Sequence, residues 1–153
     1  MSLFSIEQVT KDTFPEFFSL LCELAGYEHL TPPDESARTR LLNDLLVIPP
    51  MFEAYIGRHN DTPVGFATFF FSYSTFLARP TLFLEDIFVL ESYRGNGYGR
   101  QLFDYCLNEA KIRGCGRMDW MVLTWNEPSI RFYETIGGSR LGWYTYRLEI
   151  DQI

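Results

Sequence analysis

Hydrophobic and polar positions at the start of the chain follow first a strand period and then a helix period. Residues 3–9 predict a strand, and residues 13–26 carry apolar side chains at helical spacing. This first helix should begin after Asp12 as its N-cap and end at Gly26. The stretch TPPDESARTRLLNDLL predicts a second helix, opened by Thr31 and the following prolines.

Strand patterns dominate the middle of the chain. MFEAYIGR and PVGFATFFFSYS flank the turn HNDT, which predicts a hairpin, and TLFLEDIFVL predicts the next strand. An amphipathic helix should follow and stop at Gly114, with one apolar stripe made by Leu102, Phe103, Cys106, Leu107 and Ala110. RMDWMVLTW then predicts a strand, NEPSIRFYETIGG a helix and WYTYRLEI a last strand. The order βααβββαβαβ indicates an α/β chain, and 153 residues fit a single domain over residues 1–153.

Composition and charge narrow the possible partners. The chain is 46% hydrophobic and 17% aromatic, typical of a compact fold, and no apolar run reaches the roughly 18 residues of a membrane span. The start MSLFSIEQVTKD lacks the pattern of a signal peptide, so a cytoplasmic location without a membrane partner is expected. A net charge of −7 disfavours nucleic acid and favours a cationic partner.

Cysteine and histidine spacing predicts neither a disulfide framework nor a metal site. Cys22, Cys106 and Cys115 are odd in number and show no CxxC spacing, and we expect small buried or half-buried thiols. His29 and His59 are isolated in the sequence, as surface or capping histidines usually are.

Three glycines in YRGNGYGRQL lie where a strand leads into a helix. Their spacing matches neither the dinucleotide fingerprint GxGxxG nor the P-loop. Glycines at a helix N-terminus leave backbone N–H groups accessible, and the helix dipole adds positive charge, so a pyrophosphate could bind there. Arg94 and Arg100 flank this glycine loop and could add cations. The alternative is a plain tight turn.

The segment RGNGYG matches the R-x-x-G-x-G/A signature of the GNAT acetyltransferases, and the chain resembles that family. ELAGYEHL, VGFATFFFSY, LFLEDIFVLESYRGNGYG and WNEPSIRFYETIGG resemble more closely its spermidine/spermine (diamine) and thialysine N-acetyltransferase group. The resemblance implies a mixed, mostly antiparallel sheet of six to seven strands, about four helices and a splayed central strand pair. TPPDESARTRLL departs from the family, so the preferred amine stays open.

Acetyl-CoA is the co-substrate that the resemblance implies, with no metal. The resemblance assigns backbone contacts with acetyl-CoA to Ile87, Phe88 and Val89. It places the pyrophosphate at the glycine loop and gives Asn126 and Tyr133 further contacts with the cofactor. The loop residues so assigned are Arg94, Gly95, Asn96, Gly97, Tyr98, Gly99 and Arg100. Asn126 could also cap the last helix.

Acetylation needs a neutral amine, whereas an alkylammonium group with a pKa near 10.4 is almost entirely charged at pH 7. Glu85 and Asp86 interrupt an apolar strand and should face opposite sides unless a bulge intervenes. The resemblance makes Glu85 a base that acts through water and gives Asp86 a part in binding the amine. Alternatively, both carboxylates are structural partners of an arginine or of backbone N–H groups.

The departing thiolate of coenzyme A needs a proton or a strong hydrogen bond, and Tyr133 is the natural donor; its alternative role is that of a packed aromatic. Tyr27 and Glu28 match family residues near the amine channel. With Glu127 they could line it with negative charge, although an exposed Glu is ordinarily just solvated.

The sequence therefore predicts an acetyl-CoA-dependent N-acetyltransferase that acts on a small polyamine or diamine by direct transfer. Alternatives are a lysine-like ε-amine such as thialysine, a protein amine, or an acyl-CoA-binding regulator without turnover. A homodimer is expected from the family and from the aromatic segment WYTYRLEI, which needs a partner surface.

Overall fold

The computed structural model describes residues 3–152, and the chain divides into two compact units between Met121 and Val122. The first unit holds β1 (Phe4–Gln8), α1 (Phe14–Tyr27), α2 (Glu35–Leu46), β2 (Glu53–His59), β3 (Thr62–Ser74), β4 (Arg79–Val89), α3 (Tyr98–Ile112) and β5 (Arg117–Trp120), with a 3-10 turn at Glu91–Tyr93. The second unit holds α4 (Glu127–Thr135) and a 3-10 turn at Ile150–Gln152. Among the described residues, no helix has the length and apolarity needed to cross a bilayer.

The strands form one mixed sheet in the order β1-β2-β3-β4-β5. The first four are antiparallel neighbours, and β5 runs parallel to β4. The predicted hairpin is confirmed as β2 and β3, with Asn60 in the left-handed region at its tip. Pairing between β4 and β5 ends at Leu84 opposite Trp120, while β4 continues to Val89.

The two faces of the sheet carry different helices, because successive strand residues point to opposite sides. On one face, α1 packs its buried phenylalanines and leucines against Ile56, Phe66 and Phe88. On the other face lies α3, whose Tyr105 ring meets that of Tyr55 at 4.8 Å. Helices therefore cover both faces of the sheet.

Helix ends follow local capping chemistry that the sequence located in part. The α2 N-cap is Asp34, whose carboxylate accepts a hydrogen bond from the Ala37 backbone N at 2.8 Å, so the predicted start at Thr31 is wrong. Likewise, α1 is preceded by Thr13 as its N-cap and not by Asp12. The expected cap of α4 is confirmed, since the Asn126 side chain accepts from the Ser129 backbone N.

The sheet has five strands in the described chain, not the six to seven expected. WYTYRLEI is not a strand, and the exposed fractions of Trp143, Tyr144 and Tyr146 are 83%, 89% and 91%. RMDWMVLTW forms a strand only over Arg117–Trp120. Alternating side chains favour an extended chain, but a strand also needs a neighbour for its backbone hydrogen bonds, which sequence periodicity does not reveal.

Candidate active site

The glycine loop has the backbone geometry of an open helix N-terminus. Gly95 and Gly97 have φ values of +80° and +79°, and Gly97 is the N-cap of α3. A Cβ at either position would meet no atom within 4 Å, so the left-handed backbone and not crowding requires glycine there. Because the first N–H groups of a helix have no acceptor within it, and Gly97 has no side chain to cap them, they are available to an anion.

Both arginines of the loop have partners within the protein. Arg94 donates from Nε to the Val89 carbonyl at 2.8 Å, and its guanidinium lies 4.8 Å from the Tyr27 ring centroid. Arg100 pairs through Nε with both carboxylate oxygens of Asp104, one helical turn later. These contacts give both arginines structural roles that the sequence did not indicate, and Arg94 ties the end of β4 to the end of α1.

The predicted backbone site on β4 lies beyond the point where pairing with β5 stops. Ile87, Phe88 and Val89 pair with β3 on one side. On the other side they are not paired with β5, because Leu84 is the last β4 residue that pairs with it. Backbone groups at such an edge can hydrogen-bond an extended ligand that contains amides.

A β-bulge lies in β4 at Glu85. Thr68 of β3 pairs with Asp86, but its neighbour Phe69 pairs with Leu84, which leaves Glu85 as the extra residue. Glu85 is exposed and Asp86 is half-buried. The simple alternation that would separate the two carboxylates therefore fails at this point.

Three carboxylates interact electrostatically around the bulge. Burial raises the pKa of Asp86 to about 6, Thr68 opposes the rise by donating a hydrogen bond to Oδ2 at 2.6 Å, and Glu85 and Glu28 add to it by repulsion. Burial and then Glu85 also raise the pKa of Glu28. Repulsion of this kind is relieved by a cation, so the carboxylate cluster of Glu28, Glu85 and Asp86 suits a positively charged ligand.

Neighbouring residues shape this cluster. Tyr27, at the end of α1, is half-buried with its ring centroid 6.2 Å from that of Phe88. Thr68 is 3% exposed, and it was not among the site residues predicted from the sequence. Its signal was available, because Thr68 is the single hydroxyl side chain in the apolar run VGFATFFF.

The other predicted site residues belong to the second unit. Asn126 caps α4, and Glu127 is exposed in the first turn of that helix. Tyr133 is half-buried, and its ring centroid lies 5.4 Å from that of Phe132 in a T-shaped arrangement.

The cysteines are as predicted. Cys106 is buried, and burial raises its pKa to about 12, while Cys22 and Cys115 are half-buried. A thiol with so high a pKa is a poor nucleophile. Over residues 3–152, His, Cys, Asp and Glu form no group of three or more that could hold a metal ion.

Known proteins resemble this chain over most of its length. The Acetyltransferase (GNAT) family matches residues 8–137. A thialysine N-epsilon-acetyltransferase from Caenorhabditis elegans is 30% identical over 154 residues, which cover 97% of this chain and 94% of the relative. Spermidine/spermine N(1)-acetyltransferase-like protein 1 from Homo sapiens is 29% identical over 164 residues, and this chain spans only 24% of that protein's length.

Solved structures share the fold. An aminoglycoside N-acetyltransferase in complex with CoA superimposes with a TM-score of 0.81 at 22% identity, over 98% of this chain and 97% of that one. A probable acetyltransferase gives a TM-score of 0.83 at 23% identity, over 95% and 97%.

The free energy of unfolding should depend on pH through the titration of Asp86. Since the pKa of Asp86 is raised from 3.8 to about 6 on folding, the folded protein binds this proton more tightly than the unfolded one. The stabilising contribution is complete below about pH 4 and lost as the pH rises through about 6. Relative to Asp86→Asn, the wild-type protein should therefore lose stability between these values in urea unfolding experiments. Parallel pH profiles for the two proteins would contradict this.

Proposed function

Since the chain belongs to the GNAT acetyltransferase family, we propose that it moves an acetyl group from acetyl-CoA to a primary amine of a small diamine or polyamine. The family and the named acetyltransferases that the chain resembles support acetyl-CoA-dependent N-acetyltransferase activity. Beyond this activity, we propose the identity of the amine, the roles of single residues and the oligomeric state.

The observation that carries the choice of amine is the carboxylate cluster. One carboxylate would be enough to attract the ammonium group of a monoamine. The carboxylates of Glu28, Glu85 and Asp86 repel one another, which adds to burial in raising the pKa values of Glu28 and Asp86. A ligand with two or more positive charges relieves this repulsion better than a monoamine does. The net charge of −7 would also steer cations toward the protein.

Residues of the first unit fit acetyl-CoA. The N–H groups at the start of α3, around Tyr98, Gly99 and Arg100, would hold the pyrophosphate, with Gly95, Asn96 and Gly97 forming the loop before them. The side of β4 at Ile87–Val89 that is not paired with β5 would hold the amides of the pantetheine arm. When bound, acetyl-CoA supplies an activated acetyl thioester.

The catalytic roles that we propose divide between two side chains. Glu85 is exposed, so water can reach it, and it draws the ammonium proton off through water, while Glu28 and Asp86 hold the remaining positive charge. Tyr133 donates a hydrogen bond at the departing sulfur. From the second unit, we assign Asn126 a cofactor contact and Glu127 a part in binding the amine. The acetyl group moves directly, since buried Cys106 is unsuited to carry it.

A lysine-like ε-amine is the second candidate substrate, and a specific observation favours it. The C. elegans relative that is 30% identical over 97% of this chain is a thialysine N-epsilon-acetyltransferase. Thialysine carries a carboxylate next to its α-amino group, which the carboxylate cluster would repel. A diamine without that group is therefore preferred.

We also propose a homodimer. The exposure of Trp143, Tyr144 and Tyr146 supports this, because exposed aromatic side chains in a row commonly mark an interface. A monomer in sedimentation at micromolar concentration would reject the dimer.

A panel of amines assayed for coenzyme A release tests the substrate proposal. We expect kcat/KM for a diamine to exceed that for a monoamine of equal chain length by about tenfold or more, the effect of one additional charged hydrogen bond. Preference for thialysine would select the second candidate. Tight coenzyme A binding without release by any amine would indicate a regulator.

The pH dependence of turnover separates the roles of Glu85 and Tyr133. Turnover of Glu85→Gln should fall most at neutral pH and recover partly toward about pH 9 to 10, where more of the amine is already neutral. Tyr133→Phe should lose about 10²- to 10⁴-fold without such recovery, because the departing sulfur needs its donor at every pH. Identical profiles, or nearly unchanged turnover in either variant, would remove the assigned role.

Replacement of Gly97 tests the pyrophosphate site. Gly97→Ala forces a Cβ onto a left-handed residue at about 1 kcal/mol and disturbs the loop, so KM for acetyl-CoA should rise far more than KM for the amine. The matched control is Gly114→Ala, which introduces a similar strain at φ +72° at the other end of α3. Equal effects of Gly97→Ala on both KM values, or an equal rise in KM for acetyl-CoA in the control, would speak against the site.

A further inference from the structure

His59 contacts the residues on both sides of the glycine loop. It ends β2 and is half-buried, and its Nδ1 is hydrogen-bonded to the hydroxyl of Tyr98. Its ring centroid lies 5.5 Å from that of Tyr93 and 5.8 Å from that of Tyr98. Tyr93 is the last residue of the 3-10 turn before the loop, and Tyr98 is the first residue of α3.

Tyr98 is itself fixed to the sheet. Its side chain is only 4% exposed, and its ring stacks on Phe4 with a centroid distance of 4.2 Å and an angle of 7°. Phe4 pairs with His59 across β1 and β2. A buried tyrosine hydroxyl needs a hydrogen-bond partner, and His59 supplies it here.

The loop between these two tyrosines, residues 94–97, contains Gly95 and Gly97, which both have positive φ. Glycine has more conformational freedom to lose than any other residue, so such a loop samples many shapes unless its ends are held. Asn96 contributes from within, by donating from Nδ2 to the Tyr93 carbonyl at 3.0 Å. His59 contacts the flanking residue at each end.

We propose that His59 is a positioning residue for acetyl-CoA: by joining Tyr93 to Tyr98, it holds the glycine loop in the shape that presents the first N–H groups of α3 to the pyrophosphate. The inference rests on the proposed acetyl-CoA site. A ligand that binds only one loop shape has its affinity reduced in proportion to the population of that shape. His59 therefore acts on the binding of the co-substrate and not on the transfer step.

Two variants remove the hydrogen bond and keep an aromatic ring, namely His59→Phe and Tyr98→Phe. Calorimetry with coenzyme A should show affinity about 3- to 10-fold weaker for each, the effect expected of one hydrogen bond, and the double variant should be no weaker than the singles. KM for acetyl-CoA should rise while KM for the amine and kcat at saturation stay within about twofold. His59→Asn, which places an amide where Nδ1 stands, should recover part of the affinity.

Hydrogen exchange in the ligand-free protein gives a second readout. The backbone amides of Arg94 and Gln101, which donate to the carbonyls of Glu91 and Gly97 at the two ends of the loop, should exchange faster in His59→Phe than in the wild-type protein. The control is Tyr55→Phe, which removes a tyrosine hydroxyl bond to Glu53 at 3.0 Å and lies against Tyr105 of α3. That variant should lose stability but keep its coenzyme A affinity.

Wild-type affinity in His59→Phe and Tyr98→Phe, or equal weakening in Tyr55→Phe, would overturn the proposal. Unchanged exchange of the Arg94 and Gln101 amides in His59→Phe would overturn it as well. If the wild-type protein binds no coenzyme A, the proposed function fails, whereas the exchange experiment still decides whether His59 holds the loop.

Discussion

One extra residue in β4 determines how the centre of the sheet is built. Leu84 and Phe88 are four positions apart and would share a face in a regular strand. They pair instead with Phe69 and Phe66, which lie three positions apart and therefore on opposite faces. The bulge at Glu85 changes the face between them, so that Leu84 and Phe88 are both buried, at 2% and 8% exposure. Without the bulge, one of these two side chains would point to the opposite face of the sheet and leave the part of the core in which it is buried.

The same change of face places charge at the sheet without burying it fully. Glu85 is exposed at the bulge, and Asp86 beside it is held by Thr68 from the neighbouring strand. The end of α1 brings Glu28 into electrostatic range, and Arg94 joins Val89 to the ring of Tyr27. Three features thus lie close together in the sequence: Glu85 and Asp86 of the carboxylate cluster, the part of β4 beyond its pairing with β5, and the N–H groups at the start of α3. Glu28, the third member of the cluster, comes from the end of α1.

Local patterns predicted the parts of this arrangement that depend on local physics. Helical spacing located α1 to α4, the Asn–Asp turn located the hairpin, and the glycines located the start of α3. The sequence allowed for a bulge between Glu85 and Asp86 but did not predict one, because the register depends on which residue of β3 pairs with which residue of β4. The last strand was predicted wrongly because alternation says nothing about a partner strand. The contacts of Thr68 and His59 were not predicted, since each side chain hydrogen-bonds to a residue that is distant in the sequence. Arg94 and Arg100 were predicted to belong to the loop, but their partners within the protein were not.

We propose that the carboxylates at the bulge recognise the cationic amine, and the titration of Asp86 tests this most directly. With ¹³C-labelled aspartate, the carboxyl resonance of Asp86 can be followed against pH in the presence of coenzyme A, without and with a saturating diamine. A bound cation favours the charged carboxylate, so the pKa of Asp86 should fall from about 6 when the diamine binds. If the diamine binds and the pKa of Asp86 stays where it was, the amine site lies elsewhere.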